Sequence, residues 1–218
     1  MQLHPNFAIL IDKYLSHGLA LEQGTIFGMW PDLTLAYTND GWDRFAEAND
    51  GSQVLKQFSL GCSVPQATSA VLQPFFVENY QRCLAELRPW EHLYECSSPE
   101  VFRRLKMTVF PLGNAEGLLV VNATCIEKNH AREPFPAHDH VYRDQFGLVH
   151  QCAHCRRVRR TENERIWDWI PDWVRESPKN TSHGLCVACA TYYYFAAWPN
   201  NKTHPQPFQS TSPKTETP

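Results

Sequence analysis

Four cysteines stand in two C-x-x-C pairs, Cys152-Ala-His-Cys155 and Cys186-Val-Ala-Cys189, with thirty residues between them. Each pair folds as a tight turn that sets two sulfurs on one side, where both can reach an ion about 2.3 Å away. Two such knuckles supply four thiolates, a tetrahedral set that leaves no open coordination position. Soft sulfur ligands select Zn²⁺ over Mg²⁺ or Ca²⁺. The spacing therefore predicts a structural zinc held by Cys152, Cys155, Cys186 and Cys189. His154 and His183 lie close enough in sequence to replace a cysteine as ligand. In Ser-His-Gly-Leu-Cys, His183 better fits a residue that shapes the loop or stands behind a ligand.

Other thiol chemistries compete with this reading. A redox dithiol needs only one pair, ideally beside a thioredoxin-like βαβ pattern, which the sequence lacks. An iron–sulfur cluster is a further alternative for four cysteines. Covalent haem attachment is disfavoured, because Arg156 rather than His follows Cys155. Arg156, Arg157, Arg159 and Arg160 make a basic run beside the first knuckle, which invites a nucleic-acid reading. Yet seven Lys or Arg face five Asp or Glu between Cys152 and Cys189. A module that reads DNA carries a stronger basic stripe. Trp167, Trp169 and Trp173 could form an exposed docking surface, but a small core around the metal accounts for them better.

The rest of the chain must position these groups. It has 218 residues, 43% hydrophobic and 20% charged, with a net charge of −3. That composition fits a globular protein and gives no overall charge to attract nucleic acid or an acidic membrane. The apolar run Leu185 to Trp198 spans fourteen residues, short of the roughly 20 that cross a bilayer. The N-terminus lacks the basic start of a secretory signal, so a cytoplasmic protein is expected, with no membrane partner. In a reducing compartment, paired cysteines serve as metal ligands or redox groups more often than as disulfides.

Composition divides the chain into an N-terminal helix (1–23), a mixed domain (24–129), a linker (130–140), a cysteine-rich module (141–198) and a disordered tail (199–218). The linker HAREPFPAHDH holds two prolines and three histidines. The tail has five Pro and four Thr among its twenty residues, too little apolar surface to order itself. Apolar periodicity predicts a helix over Asn6–Leu19. Short strands follow at Ile26–Trp30 and Leu33–Tyr37, with a helix capped by Asn39 or Asp40. A longer helix covers Gln73–Leu87. Strands at Trp90–Cys96, Phe102–Leu112 and Leu118–Ile126 come next, the last two joined by the turn Gly113–Gly117. In the module, a strand over Phe146–Gln151 leads to the first knuckle, and the second opens a helix over Ala188–Trp198.

This order over roughly 24–128 resembles a PAS domain. TLAYTNDGWDRFAEAND is similar to that family's second strand and following helix, where an Asn follows the strand. FRRLKMTVFPLGNAEGLLVVNATC is similar to its closing hairpin. The resemblance implies an α+β fold, a five-stranded antiparallel sheet cupping a cavity against helices, used for sensing or protein docking. It does not name a ligand. A flavin photosensor resembles a sequence with an Asn-Cys-Arg-Phe setting, which Gly61-Cys62-Ser63-Val64 lacks, and Cys62 reads as a small packed residue. A haem-binding PAS domain resembles one with a His on the long helix, and Gln73–Leu87 has none; His92, on a strand, reads as a structural histidine. Trp30, Tyr37, Trp42, Phe45 and Phe76 could line a cavity, though such spacings more often mark core.

The knuckles and their flanking elements are similar to a treble-clef or zinc-ribbon arrangement. CAHCRRVRR…WDWIPDWV…SHGLCVACATYYY also resembles a cysteine-rich segment that follows PAS domains in bacterial sensory proteins and ends some sensor histidine kinases. No Walker A, dinucleotide fingerprint, nucleophile elbow or His-Glu-x-x-His occurs. The expectation is a non-enzymatic signalling protein acting by protein contact, with a kinase, a regulator or itself as a homodimer. A zinc-dependent nucleic-acid-binding transcriptional regulator and a thiol redox sensor are the alternatives.

Overall fold

The computed structural model describes residues 1–15, 24–49, 51, 55 and 57–196. The predicted end of the first helix beyond Leu15 and the tail 199–218 lie outside the described residues. The larger sheet contains β1 (Gln2–Leu3), β2 (Thr25–Met29), β3 (Leu35–Thr38), β4 (Trp90–Glu95), β5 (Val101–Leu112) and β6 (Gly117–Asn129). All its pairs are antiparallel, in the order β1-β3-β2-β6-β5-β4. Five strands were expected. The sixth is the two-residue β1, which pairs Gln2 with Thr38 and Leu3 with Tyr37 and is too short to announce itself by alternation.

Alternation assigns the faces. Met107 and Val109 point inward with Phe27, Met29, Leu118 and Val120, and meet Tyr80, Cys83 and Leu84 of α3 (Gln73–Glu86). The opposite face carries Ile26, Ala36, Leu112 and Leu119, and α1 (Pro5–Leu15) covers it with Phe7 and Ile11. The helix approaches this closely because of Gly28. A Cβ there would stand 2.2 Å from Phe7 Cε1, so no side chain fits under the ring. Helix α2 (Asp40–Ala48) starts at Asn39, whose side chain accepts from Trp42 N. A 3-10 turn, Val64–Ala67, leads toward α3.

Residues 130–140, expected as a linker, make specific contacts. The His130 ring lies 4.4 Å from that of Trp169, and Phe135 N donates to Trp169 O. A short helix, α4 (Asp139–Tyr142), then enters the second sheet: β7 (Val149–Cys152), β8 (Val158–Arg159), β9 (Trp167–Asp168) and β10 (Thr181–Gly184), in the order β10-β7-β8-β9. Strand β7 starts three residues after the expected Phe146, which is instead an exposed turn residue. Tyr142, Val149, Val158, Ile170 and Trp173 form a core with α5 (Pro171–Arg175). Trp169 and Trp173 are buried, and Trp167 packs around the cysteines. The helix after the second knuckle is α6 (Val187–Thr191), continued by a π-helical turn, Tyr192–Ala196.

Candidate metal centre

Strand pairing brings the knuckles together. The first is the turn of the β7–β8 hairpin, where Gln151 faces Val158. Arg156 N donates to Cys152 O, Cys152 N donates to Arg157 O, and Arg156 takes φ +62° to close the turn. Strand β10 runs parallel to β7 and sets Gly184 opposite Cys152, so Cys186, two residues on, arrives beside the hairpin turn. Ala153 N donates to Gly184 O across this junction at 2.8 Å. Cys186 then caps α6, whose first turn carries Cys189.

The four sulfurs lie within 4.8 Å of one another, and all four residues are buried. A tetrahedron of sulfurs about 2.3 Å from a central ion has edges of about 3.8 Å. Cys155 and Cys186, one from each knuckle, have sulfurs 3.7 Å apart. The set thus fits an ion of zinc size. Contacts with the other three sulfurs lower the Cys152 thiol, those of Cys152 and Cys186 raise Cys155, and all three partners raise Cys189. Four adjacent sulfurs share negative charge poorly unless a cation sits among them.

His154 stands beside this set rather than in it. Its Nδ1 lies 3.3 Å from Cys189 Sγ, and its Nε2 accepts from the backbone N–H of Glu95 at 3.0 Å. His183 lies on β10 opposite Gln151 with an exposed side chain, and belongs to no ligand cluster among the described residues. The centre is also not isolated from the first sheet. Leu72, just before α3, and Phe75 within it pack with the cysteines and Tyr193. His92 on β4 is buried, with Nε2 3.4 Å from the Tyr193 hydroxyl and Nδ1 3.3 Å from that of Tyr192. Tyr192, Tyr193 and Glu95 escape sequence reasoning because nothing local marks them; their partners lie far along the chain.

The basic run is largely tied down within the module. Arg160 pairs with Asp168, Arg159 with Glu164 at 3.0 Å, and Arg156 donates to Ser177. In the first sheet, a cleft of about 340 Å³ opens between α2 and the strands, lined by Arg44, Phe45, Leu105, Asn122 and Thr124 among others. Of the aromatics considered for a cavity, Phe45 lines this cleft. Trp30 and Tyr37 pack on the opposite face, and Trp42 and Phe76 belong to the inner core. Cys62 is not on this cleft; its thiol donates to Gln57 O in a surface turn.

No protein-family model matches this sequence, and no curated protein matches it. Several solved structures are similar, three of which follow. The PAS domain of BvgS from Bordetella pertussis covers 54% of this chain and 89% of its own, at 14% identity and a TM-score of 0.40. A sensory box sensor histidine kinase from Vibrio cholerae covers 55% and 94%, at 13% identity and 0.34. The PAS domain of an HTR-like protein from Haloarcula marismortui covers 52% and 96%, at 17% identity and 0.31. At these scores the likeness says what the chain is similar to and goes no further. The chain's own elements define an α+β protein: a helix-covered antiparallel sheet with a four-cysteine module packed against its β4 end. No helix among the described residues is long and apolar enough to cross a membrane.

Proposed function

We propose that this chain is a signalling protein in which a PAS-like sensor sheet and a structural zinc module act as one unit, through contact with a protein partner or a second copy of itself. The observation that carries the reading is the buried set of four sulfurs, spaced for one tetrahedral ion and packed against α3 and β4. Four cysteines leave a bound ion no open position, so its work is to hold structure and not to activate water. The treble-clef or zinc-ribbon reading rests on a hairpin knuckle and a second knuckle that opens a helix. The nucleic-acid reading is weakened by the acidic partners of Arg159 and Arg160.

Metal analysis by native mass spectrometry on freshly purified protein tests the zinc, with Cys189→Ser beside it. One zinc per chain, lost in the variant, is expected. Four free thiols or two disulfides without metal would overturn the zinc module and favour redox sensing. Sedimentation of the zinc-loaded chain, then crosslinking in extract against the same chain with the 141–198 module unfolded by Cys189→Ser, tests the contact. A self-association or a crosslinked protein that needs the folded module is expected. Salt-steep binding to DNA or RNA instead would favour the nucleic-acid regulator.

A further inference from the structure

Strand β4 ends the larger sheet, so one of its sides carries backbone groups that no strand pairs. Cys96 N donates to Arg103 O on the β5 side, so the alternating groups of Glu95 and Leu93 face the open side. Side chains of the cysteine module meet both. The Glu95 N–H donates to His154 Nε2 at 3.0 Å, and the Tyr192 hydroxyl donates to Leu93 O at 3.0 Å. The first contact also fixes the imidazole. Nε2 accepts, so in the neutral ring the proton sits on Nδ1, and Nδ1 faces Cys189 Sγ at 3.3 Å. A single imidazole thus donates to a sulfur of the centre and accepts from the sheet edge. Tyr193 packs edge-on against the same ring at 5.1 Å and against Phe75 at 5.0 Å, which holds its plane.

Resting on the metal reading above, we propose that His154 couples occupancy of the four-cysteine centre to the order of β4. The ion fixes Cys189, Cys189 orients the His154 ring, and the ring caps the edge of the sheet. With the ion gone, the knuckles lose the bond that holds Cys189 against Cys152, and Nδ1 loses its fixed acceptor. Glu95 N–H and Leu93 O are then uncovered together, because Tyr192 follows Cys189 by less than one helical turn. His154 is accordingly a positioning residue that turns metal loss into an exposed strand edge.

The test is hydrogen exchange read by mass spectrometry on the full chain, with zinc content measured on the same samples by native mass spectrometry. Stripping the wild type with a chelator should speed exchange at Glu95 roughly tenfold, the worth of one hydrogen bond, and leave β2–β3 unchanged. His154→Ala should keep one zinc per chain, exchange at Glu95 as the stripped wild type does, and pass zinc to a chelator roughly tenfold faster. Two results would overturn the coupling while leaving the metal in place: β4 protection untouched by chelation, or a zinc-loaded His154→Ala chain with wild-type protection. Wild type that carries no metal would overturn the metal reading itself, and the chelation arm gives an answer even if His154→Ala does not fold.

Discussion

The guanidinium of Arg132 lies over the Trp169 ring, 4.8 Å from its centroid, and pairs through Nη2 with Glu95 at 2.7 Å. A residue of the expected linker thus joins the edge strand of one sheet to the core of the other. Both charged side chains are mostly buried, and the guanidinium also lies 5.7 Å from the centroid of the Phe102 ring.

Arg132→Ala strips the partner from a carboxylate with little water to replace it. The loss lies between the ~0–1 kcal/mol of exposed pairs and the ~3–5 kcal/mol of broken buried ones, so about 2 kcal/mol is expected. Arg132→Lys should recover less than half, because an ammonium neither lies flat on Trp169 nor keeps the fork that reaches Glu95. Urea unfolding of both variants, with Glu95→Gln to close the cycle, reads this out. Equal stabilities for Arg132→Ala and wild type would show that the Arg132–Glu95 pair adds nothing to the joint between the sheets.

Asn39 anchors the start of α2 and the start of β2 together. Its Oδ1 accepts from Trp42 N and from Ile26 N, each at 2.9 Å, while Nδ2 donates to Gly24 O at 2.9 Å. Asn39→Ala removes a cap worth about 1 kcal/mol and also strands the buried Ile26 amide, which adds about 1–3 kcal/mol. A fall of about 2–4 kcal/mol in unfolding free energy is expected. Asn39→Asp keeps the acceptor and loses the donor, and should fall by less. If the two variants unfold alike, the donor to Gly24 O is the contact that matters.

A cap at Asn39 or Asp40 was legible because capping is local: residue type, place after a strand, and the apolar spacing of Trp42 and Phe45 all agree, and the structure puts it at Asn39. The same holds for β5, where Leu105, Met107 and Val109 alternate with polar neighbours, and for the turn that joins it to β6. What brings the two knuckles together was not legible. Strand β10 reads Thr-Ser-His-Gly and carries no apolar alternation, so nothing local says that it runs parallel to β7. The linker misleads for a similar reason. It packs through Arg132, His130 and Phe135 onto one tryptophan, contacts that require no apolar run. The four cysteines were legible by type and spacing as a set that could hold a metal, and the fold brings them together; the capping of β4 was not, since its partners stand 59 and 99 positions apart.

His92 gives the chain a stability that depends on pH. Burial holds its imidazole neutral and lowers its pKa to about 3, from a usual 6.5. Between those values the unfolded chain binds a proton that the folded chain refuses, so this residue's effect on stability vanishes above pH 6.5 and grows as a penalty toward pH 3. From pH 7 to pH 5 the penalty amounts to about 2 kcal/mol. In the proposed zinc centre, protonation of the cysteines would compete with the ion over the same descent, so the informative quantity is a difference. His92→Phe keeps a ring among Trp90, Tyr94 and Phe75 and cannot titrate. It gives up the contacts to the Tyr192 and Tyr193 hydroxyls, which lowers stability at neutral pH. Its unfolding free energy should nevertheless fall less steeply than that of the wild type between pH 7 and pH 5. Parallel pH profiles for the two proteins, at equal zinc content, would mean that the imidazole takes up a proton without leaving its place between the tyrosines.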